Sequence, residues 1–223
     1  MPRVKRCYNR LYVLWFVDLA ILFGMKMKLF YFDFRAKGEM IRLLLHLAGV
    51  EFEDHRISRE QWQTQKNEFT FGQVPVLELD GAGQRFAQST AILTYLAKEY
   101  GYYGTSNIER LEIDQVLELI QDLWRDYVDA FYEVDQLLRD KKMEIVNNVK
   151  KPHVFSCLER LLGDNGTGWL VSNSLTCADV AVFSVIEDQD TVSAYPHLAR
   201  LKEKIQNIPN IQKYLATRPE SPY

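Results

Sequence analysis

The sequence has few residues of the kinds that build disulfide or metal frameworks. Its 223 residues include three cysteines and four histidines. Cys7, Cys157 and Cys177 form no CxxC pair and, like the scattered histidines, have no zinc-ligand spacing. We therefore expect no structural disulfide, no metal and a reducing, cytoplasmic location. The net charge is −3 with acids and bases interspersed, so no basic surface for nucleic acid is expected.

Residues 1–26 differ from the rest of the chain. The basic start MPRVKRCYNR precedes an apolar run, LYVLWFVDLAILFG, in the order of a secretory signal. The run is shorter than the about 20 residues that span a membrane, and no small-residue cleavage site follows it. An anchor, a signal and an extension absent from the working protein all stay open. We favour the extension, and we expect membrane contact only if residues 1–26 act as an anchor.

Strand and helix patterns alternate over residues 27–103. KLFYFDF has the aromatic density of a strand, a helical pattern follows, and residues 52–57 predict a second strand parallel to the first. A hairpin over residues 76–87 and a helix from Ser89 to about Tyr100 complete the order βαβββα. This order predicts an α/β thioredoxin-like domain without the redox CxxC of that fold.

Residues 104–223 are expected to form an all-α domain. Apolar residues at helical spacing predict one helix from residue 108 to about 138 and another from 143 to 162, interrupted at Pro152. Thr176 and Asp179 have the spacing of a capping box before an apolar helix, which we interpret as a folding signal.

Residues 71–89, FGQVPVLELDGAGQRFAQS, offer two anchors for a short peptide. Pro75 belongs at the start of a strand, so Val74 is extended with its amide and carbonyl facing outward, as in strand addition. A cis Val74–Pro75 bond would hold these groups in place. Ser89 begins a helix whose first amides can bind a carboxylate, although a plain N-cap is the alternative.

FGQVPVLELDG followed by QS and a helix resembles the glutathione-binding half of a cytosolic glutathione transferase. KLFYFDFRAKGEMIR resembles the sigma class, which includes glutathione-dependent prostaglandin D synthases. The resemblance runs from Met27 to the C-terminus and implies a homodimeric enzyme of detoxification or prostaglandin metabolism. Glutathione would be its co-substrate, with no cofactor, and a small apolar electrophile its second substrate.

Two further activities are compatible with this resemblance, namely peroxidase activity and isomerisation of prostaglandin H2 to D2. A non-catalytic, S-crystallin-like or glutathione-binding structural protein is the alternative from another class.

The resemblance also implies the residues of the site. Tyr31 is expected to be catalytic, because a hydroxyl that donates to the glutathione sulfur lowers the pKa of the thiol. Without the resemblance, Tyr31 is one of 12 tyrosines that could fill a core. Lys37 stands where sigma-class members commonly carry arginine, and it would support the thiolate less well. The alternative for Lys37 is a solvated turn lysine.

The remaining expectations concern the ends of glutathione. An indole donor and a cation four residues apart would bind the glycine carboxylate, and acids four apart on the long helix would reach the γ-glutamyl amino group of the partner subunit. Solvated acids are the simpler reading of that pair. The expected glutathione-binding residues are Tyr31, Lys37, Trp62, Lys66, Gln73, Val74, Pro75, Gln88 and Ser89, and the expected partner-subunit contacts are Asp114 and Glu118. Trp124, Tyr127 and Phe131 would line the electrophile pocket or fill the core.

Overall fold

The structure is a computed structural model that describes residues 27–79, 83–187 and 190–221. The interpretations of residues 1–26 therefore lie outside the described residues. The first half contains β1 (Met27–Phe32), α1 (Ala36–Leu47), β2 (Phe52–Ile57), α2 (Arg59–Gln65), β3 (Val76–Leu79), β4 (Gln84–Ala87) and α3 (Ser89–Tyr100). The second half contains α4 (Asn107–Phe131), α5 (Gln136–Ile145), α6 (Lys151–Asn165), α7 (Cys177–Ile186), α8 (Pro196–Gln206) and α9 (Pro209–Thr217).

The four strands form one mixed sheet in the order β2-β1-β3-β4. β1 is parallel to β2 and antiparallel to β3, and β3 pairs with β4 as a hairpin. The predicted combination of a thioredoxin-like domain and an all-α domain is confirmed, while the exact limits 27–103 and 104–223 stay predictions.

The two faces of the sheet bury different cores, because successive side chains of a strand point to opposite faces. Leu29 belongs to the large core that joins the sheet to the helices of both halves. Phe30 belongs to a small second core with Ile57, Phe69 and Val76. Trp62, Val74 and Phe32 pack against this second core, which holds the predicted site residues on that side of the sheet.

The helical half differs from the prediction at two places. The helix predicted to reach about residue 138 ends at Phe131, because the Asp135 side chain accepts a hydrogen bond from the Leu138 amide at 2.9 Å and caps a new helix. The predicted interruption lies just before Pro152 and takes the form of a π turn at Val146–Lys150, through which α5 continues into α6. Pro152 is the second residue of α6 and cannot donate a helical hydrogen bond.

The capping box predicted before α7 is present and buried. Asp179 has no exposed side-chain area and accepts hydrogen bonds from the Leu170 amide and the Thr176 amide, both at 2.8 Å, and from the Thr176 hydroxyl at 2.9 Å. Burial raises the pKa of Asp179 to about 6, and the donated hydrogen bonds oppose this shift. Asp179 therefore ties the loop before α7 to the helix.

We expect Asp179→Ala to lower the free energy of unfolding by roughly 3 kcal/mol, because two buried amides lose their acceptor. Urea denaturation measures this loss. Glu109→Ala, in the solvent-exposed capping box of α4, is the matched control and should cost clearly less. Equal losses in the two variants would contradict the structural role assigned to Asp179.

Candidate functional site

Tyr31 lies near the end of β1 and is almost entirely buried. Its side chain is 4% exposed, and its ring centroid lies 5.6 Å from those of Phe32 and Phe34. A Cβ atom added to Gly38 would lie 2.3 Å from Tyr31 Cδ1, so the ring occupies the space that any larger residue at this position of α1 would need. The start of α1 therefore fixes where the Tyr31 ring can sit.

The surroundings of Tyr31 keep its phenol neutral. Burial raises the pKa of Tyr31 above its ordinary value, whereas the Lys37 backbone amide and the Arg42 guanidinium act in the opposite direction. Tyr132 lies close enough to raise this pKa further. A neutral phenol at physiological pH is a hydrogen-bond donor, which is the state needed to stabilise an anion.

The Val74–Pro75 bond is cis, and it lies directly before β3. Pro75 is buried and Val74 is half-buried, whereas Gln73 is exposed. The backbone hydrogen bonds of the turns and loops in the described chain do not include the Val74 amide or carbonyl. This segment can therefore pair with an extended ligand.

Lys66 and Trp62 approach the same segment from α2 and the turn that follows it. Gly72 has a φ of 58°, and a Cβ added there would lie 3.4 Å from Lys66 Cε, so the lysine stem runs beside the residue before Gln73. Trp62 is half-buried and packs edge-on against Phe32 at 5.3 Å. Trp62 therefore has a packing role, and its ring contacts Phe32, the residue that follows Tyr31 in the chain.

Gln88 and Ser89 form the start of α3. The alternative interpretation of Ser89 as a plain N-cap is not what the structure shows. Gln88 is the N-cap with a φ of 78°, and Ser89 is the first helical residue, so Ser89 is not the N-cap. Its buried hydroxyl lies 3.4 Å from Gln121 Nε2. A non-glycine residue with positive φ is strained, and such residues cluster at binding sites.

An open cleft of about 920 Å³ lies beside this helix start. It brings together Lys37, Gln88, Asp114 and Glu118 from the predicted set. Asp114 is already engaged, since the Tyr103 hydroxyl donates to both of its oxygens at 2.7 Å. Glu118 is exposed.

Sequence reasoning did not identify the other residues that line this cleft, among them Gln121 and Arg125. Gln121 is seven residues after Asp114 on α4 and therefore on the same helix face, a spacing that could have identified it. Burial lowers the pKa of Lys37, and the nearby charge of Arg125 lowers it further. The cleft is therefore lined by three cationic residues, Lys37, Lys98 and Arg125, as well as by the two acids.

The aromatic residues proposed for the electrophile pocket separate into two groups. Trp124 and Tyr127 are half-buried and pack against the large core, with the Tyr127 hydroxyl donating to Asn147 at 3.1 Å. Phe131 is 37% exposed and meets the ring of Tyr132, itself 67% exposed, at 5.2 Å. Phe131 and its neighbour Tyr132 are therefore exposed, whereas Trp124 and Tyr127 belong to the packing of the large core.

Other chemistries find little support within the described ranges. No group of three or more histidine, cysteine, aspartate or glutamate residues there could hold a metal ion, and Cys157 and Cys177 are free thiols. None of the helices described is long and apolar enough to cross a membrane.

Residues 25–98 match the glutathione S-transferase N-terminal domain, and residues 121–218 match the glutathione S-transferase C-terminal domain. The chain is 34% identical over 205 residues to glutathione S-transferase 1 of Ascaris suum, covering 88% of this chain and 98% of that protein. It is 37% identical over 211 residues to glutathione S-transferase 3 of Caenorhabditis elegans, covering 87% and 97%. The structure of prostaglandin synthase D of Nilaparvata lugens superposes with a TM-score of 0.80 at 36% identity, covering 87% and 99%.

The chain belongs to the glutathione S-transferase family. It is a transferase, and glutathione is its co-substrate.

The close contact between Tyr31 and Gly38 predicts what happens when a methyl group is added at position 38. Gly38→Ala should displace the Tyr31 ring, lower kcat for glutathione conjugation at least about tenfold, and destabilise the fold by roughly 1–3 kcal/mol through overpacking. Steady-state assays and thermal unfolding measure both effects. Gly163→Ala is the matched control, since a Cβ there would meet His197 Nε2 at 3.4 Å. Parental kcat in the Gly38 variant would show that the ring position does not matter.

Proposed function

We propose that this protein is a glutathione transferase of sigma type, in which Tyr31 activates the glutathione thiol for attack on apolar electrophiles. The register between β1 and β3 carries the proposal. Phe30 pairs with Val76, so continuing the register by one residue puts Pro75 opposite Tyr31. Residues opposite each other on antiparallel strands are about 5 Å apart. A peptide paired with Val74 therefore runs beside the phenol.

Glutathione would bind in an extended conformation along this edge. The Val74 backbone pairs with the cysteinyl unit, as in strand addition. Gln88, Ser89 and the first amides of α3 hold the γ-glutamyl carboxylate. Support for this assignment comes from the Ser89 hydroxyl, which is not used as a helix cap.

The glycine end of glutathione would meet the opposite side of the segment. Trp62 offers an indole donor, Lys66 a cation and Gln73 an exposed amide for its carboxylate. The course of the Lys66 stem past Gly72 supports this assignment. When both ends of glutathione are bound, the position of its sulfur is restricted. Binding of the two ends therefore orients the thiol for reaction.

The chemical step needs a thiolate. The neutral Tyr31 hydroxyl donates a hydrogen bond to the sulfur, which favours the charged form and lowers the pKa of the bound thiol. Each pKa unit corresponds to about 1.4 kcal/mol of stabilisation of the thiolate. The half-buried Lys37 ammonium adds positive potential on the same turn. The thiol proton leaves to solvent. With a chlorinated aromatic substrate, a sulfur lone pair then forms the carbon–sulfur bond, and chloride leaves with the electrons of the broken carbon–chlorine bond.

The electrophile would lie on the exposed aromatic surface next to Tyr31. Phe34 stacks on Phe32 at 5.2 Å and contacts the Tyr31 ring, and the exposed rings of Phe131 and Tyr132 lie at the end of α4. The closeness of Tyr132 to Tyr31 supports this placement. An apolar surface of this kind suits small apolar electrophiles and holds them within reach of the sulfur.

We also propose that the protein is a cytoplasmic homodimer. The polar cleft with Asp114 and Glu118 on one wall is suited to cover by a second copy, where an acid could reach the γ-glutamyl amino group of its partner. Glu118 is the better acceptor for this amino group, because Asp114 already accepts a hydrogen bond from Tyr103. The free thiols of Cys157 and Cys177 fit a reducing compartment.

Isomerisation of prostaglandin H2 to D2 is a second candidate activity. The similarity to the prostaglandin synthase D of Nilaparvata lugens favours it. Incubation with the endoperoxide and glutathione, followed by product analysis, tests it. Formation of prostaglandin D2 no faster than in buffer would exclude this activity while leaving conjugation intact.

Tyr31→Phe tests the main proposal, because it removes one hydroxyl and keeps the ring. We expect kcat for a chlorinated aromatic substrate to fall about 100-fold, a loss of roughly 3 kcal/mol, while the Kd for glutathione changes little. Steady-state kinetics and calorimetry measure the two quantities. Tyr102→Phe, which removes a hydroxyl from a half-buried tyrosine outside the cleft, is the control. Parental turnover by the Tyr31 variant would refute the assigned role.

The pH profile gives an independent test. The folded protein holds the pKa of Tyr31 above its ordinary value of about 10, so the phenol stays a donor throughout the neutral range. At saturating glutathione, we expect kcat/KM for the electrophile to rise with pH as the bound thiol ionises and then to level off. A descending limb between about pH 7 and 9 that disappears in Tyr31→Phe would contradict the neutral donor.

A further inference from the structure

The turn that follows Tyr31 is held by a buried arginine. Arg42, on α1, is 0% exposed, and its guanidinium donates to the carbonyl of Phe34 at 2.8 Å and to the carbonyl of Phe32 at 3.1 Å. Its Nε donates to Asp54 at 3.0 Å, and its Cζ lies 5.6 Å from the centroid of the Tyr31 ring. One side chain thus fixes both ends of the segment that leaves β1.

A buried glutamate links this arginine to the last helix. Glu39 is 1% exposed and lies 3.6 Å from Arg42. It accepts hydrogen bonds from the Tyr214 hydroxyl at 3.1 Å and from Arg218 Nη1 at 2.8 Å. Arg218 also donates to Glu187, at the end of α7, at 2.7 Å. The end of α9 therefore contacts the Glu39 carboxylate of α1 directly, and the end of α7 is joined to it through Arg218.

The charges in this chain of contacts alternate, so each member depends on the next. A buried carboxylate needs its cationic partners, and removing one leaves an uncompensated charge that the structure must relieve by moving. The nearest groups that can move are the side chain of Arg42 and the two carbonyls it holds. The backbone there is already strained, since Ala36 has a φ of 33°.

We propose that Arg42, Glu39, Tyr214 and Arg218 act as positioning residues, through which the C-terminal helix α9 sets the place of the Tyr31 hydroxyl relative to bound glutathione. This inference rests on the proposed role of Tyr31. None of these four side chains needs to touch glutathione or the electrophile, and their effect is on thiol activation and not on glutathione binding. Tyr214 of α9 and Arg218, directly after this helix, would thereby help to position Tyr31.

The test uses Arg218→Gln and the milder Tyr214→Phe in the full chain. For each variant we would measure the pKa of the bound glutathione thiol by spectroscopic titration, together with kcat and KM. We expect Arg218→Gln to raise the thiol pKa by about one unit and lower kcat about tenfold at neutral pH, because one unit changes the thiolate fraction tenfold. Tyr214→Phe, which keeps the ring stacked on His46 at 4.1 Å, should lower kcat about threefold. KM for glutathione should stay within about twofold in both.

Glu159→Gln is the matched control. Glu159 caps α8 by accepting from the amides of His197 at 2.9 Å and Leu198 at 2.9 Å, so its loss should lower Tm without moving Tyr31. A parental thiol pKa in folded Arg218→Gln and Tyr214→Phe, or an equal shift in Glu159→Gln, would overturn the inference. If the parent protein itself fails to lower the thiol pKa or to conjugate glutathione, the proposed function fails instead.

Discussion

The antiparallel pairing of β1 with β3 is the constraint on which the site depends. It sets the end of β1, with Tyr31, against the start of β3, with the cis bond between Val74 and Pro75. Because register is fixed by which side chains enter each core, a slip of one residue would turn Leu29 and Phe30 to the wrong faces. The distance between the phenol and a strand-paired ligand is therefore set by core packing.

The small core on the outer face of the sheet adds the second requirement, which is rigidity. Val74 packs against a cluster that includes Phe30, Phe69 and Val76, and Trp62 of α2 packs against the same cluster. A site built on packed elements holds its geometry better than one built on free loops. The strained backbone at Ala36 and Gln88 flanks the site on both sides, and buried neighbours keep it in place.

Much of this could be predicted from the sequence, because the signals are local. The strand and helix patterns of residues 27–103, the start of α3 at Ser89 and the capping box of Asp179 each depend on neighbours along the chain. The break after Phe131 was missed because no glycine or proline marks it, and only the Asp135 cap does. Gln121 and Arg42 were missed because their roles come from residues far away in sequence or from burial of a charge in an apolar helix.

The proposed site has two parts with different packing, one for the thiol of glutathione and one for the electrophile. The proposed thiol activation would depend on Tyr31, Gly38 and Arg42, which are buried and closely packed. The proposed surface for the electrophile includes Phe131 and Tyr132, whose side chains are exposed. Substitutions on that exposed surface leave the core intact and change stability little. Substitutions there could therefore change the proposed electrophile surface without disturbing the buried residues around Tyr31. The electrophile is not readable from the sequence because exposed aromatic residues form no local motif, whereas Tyr31 lies in a stretch that carries a family resemblance.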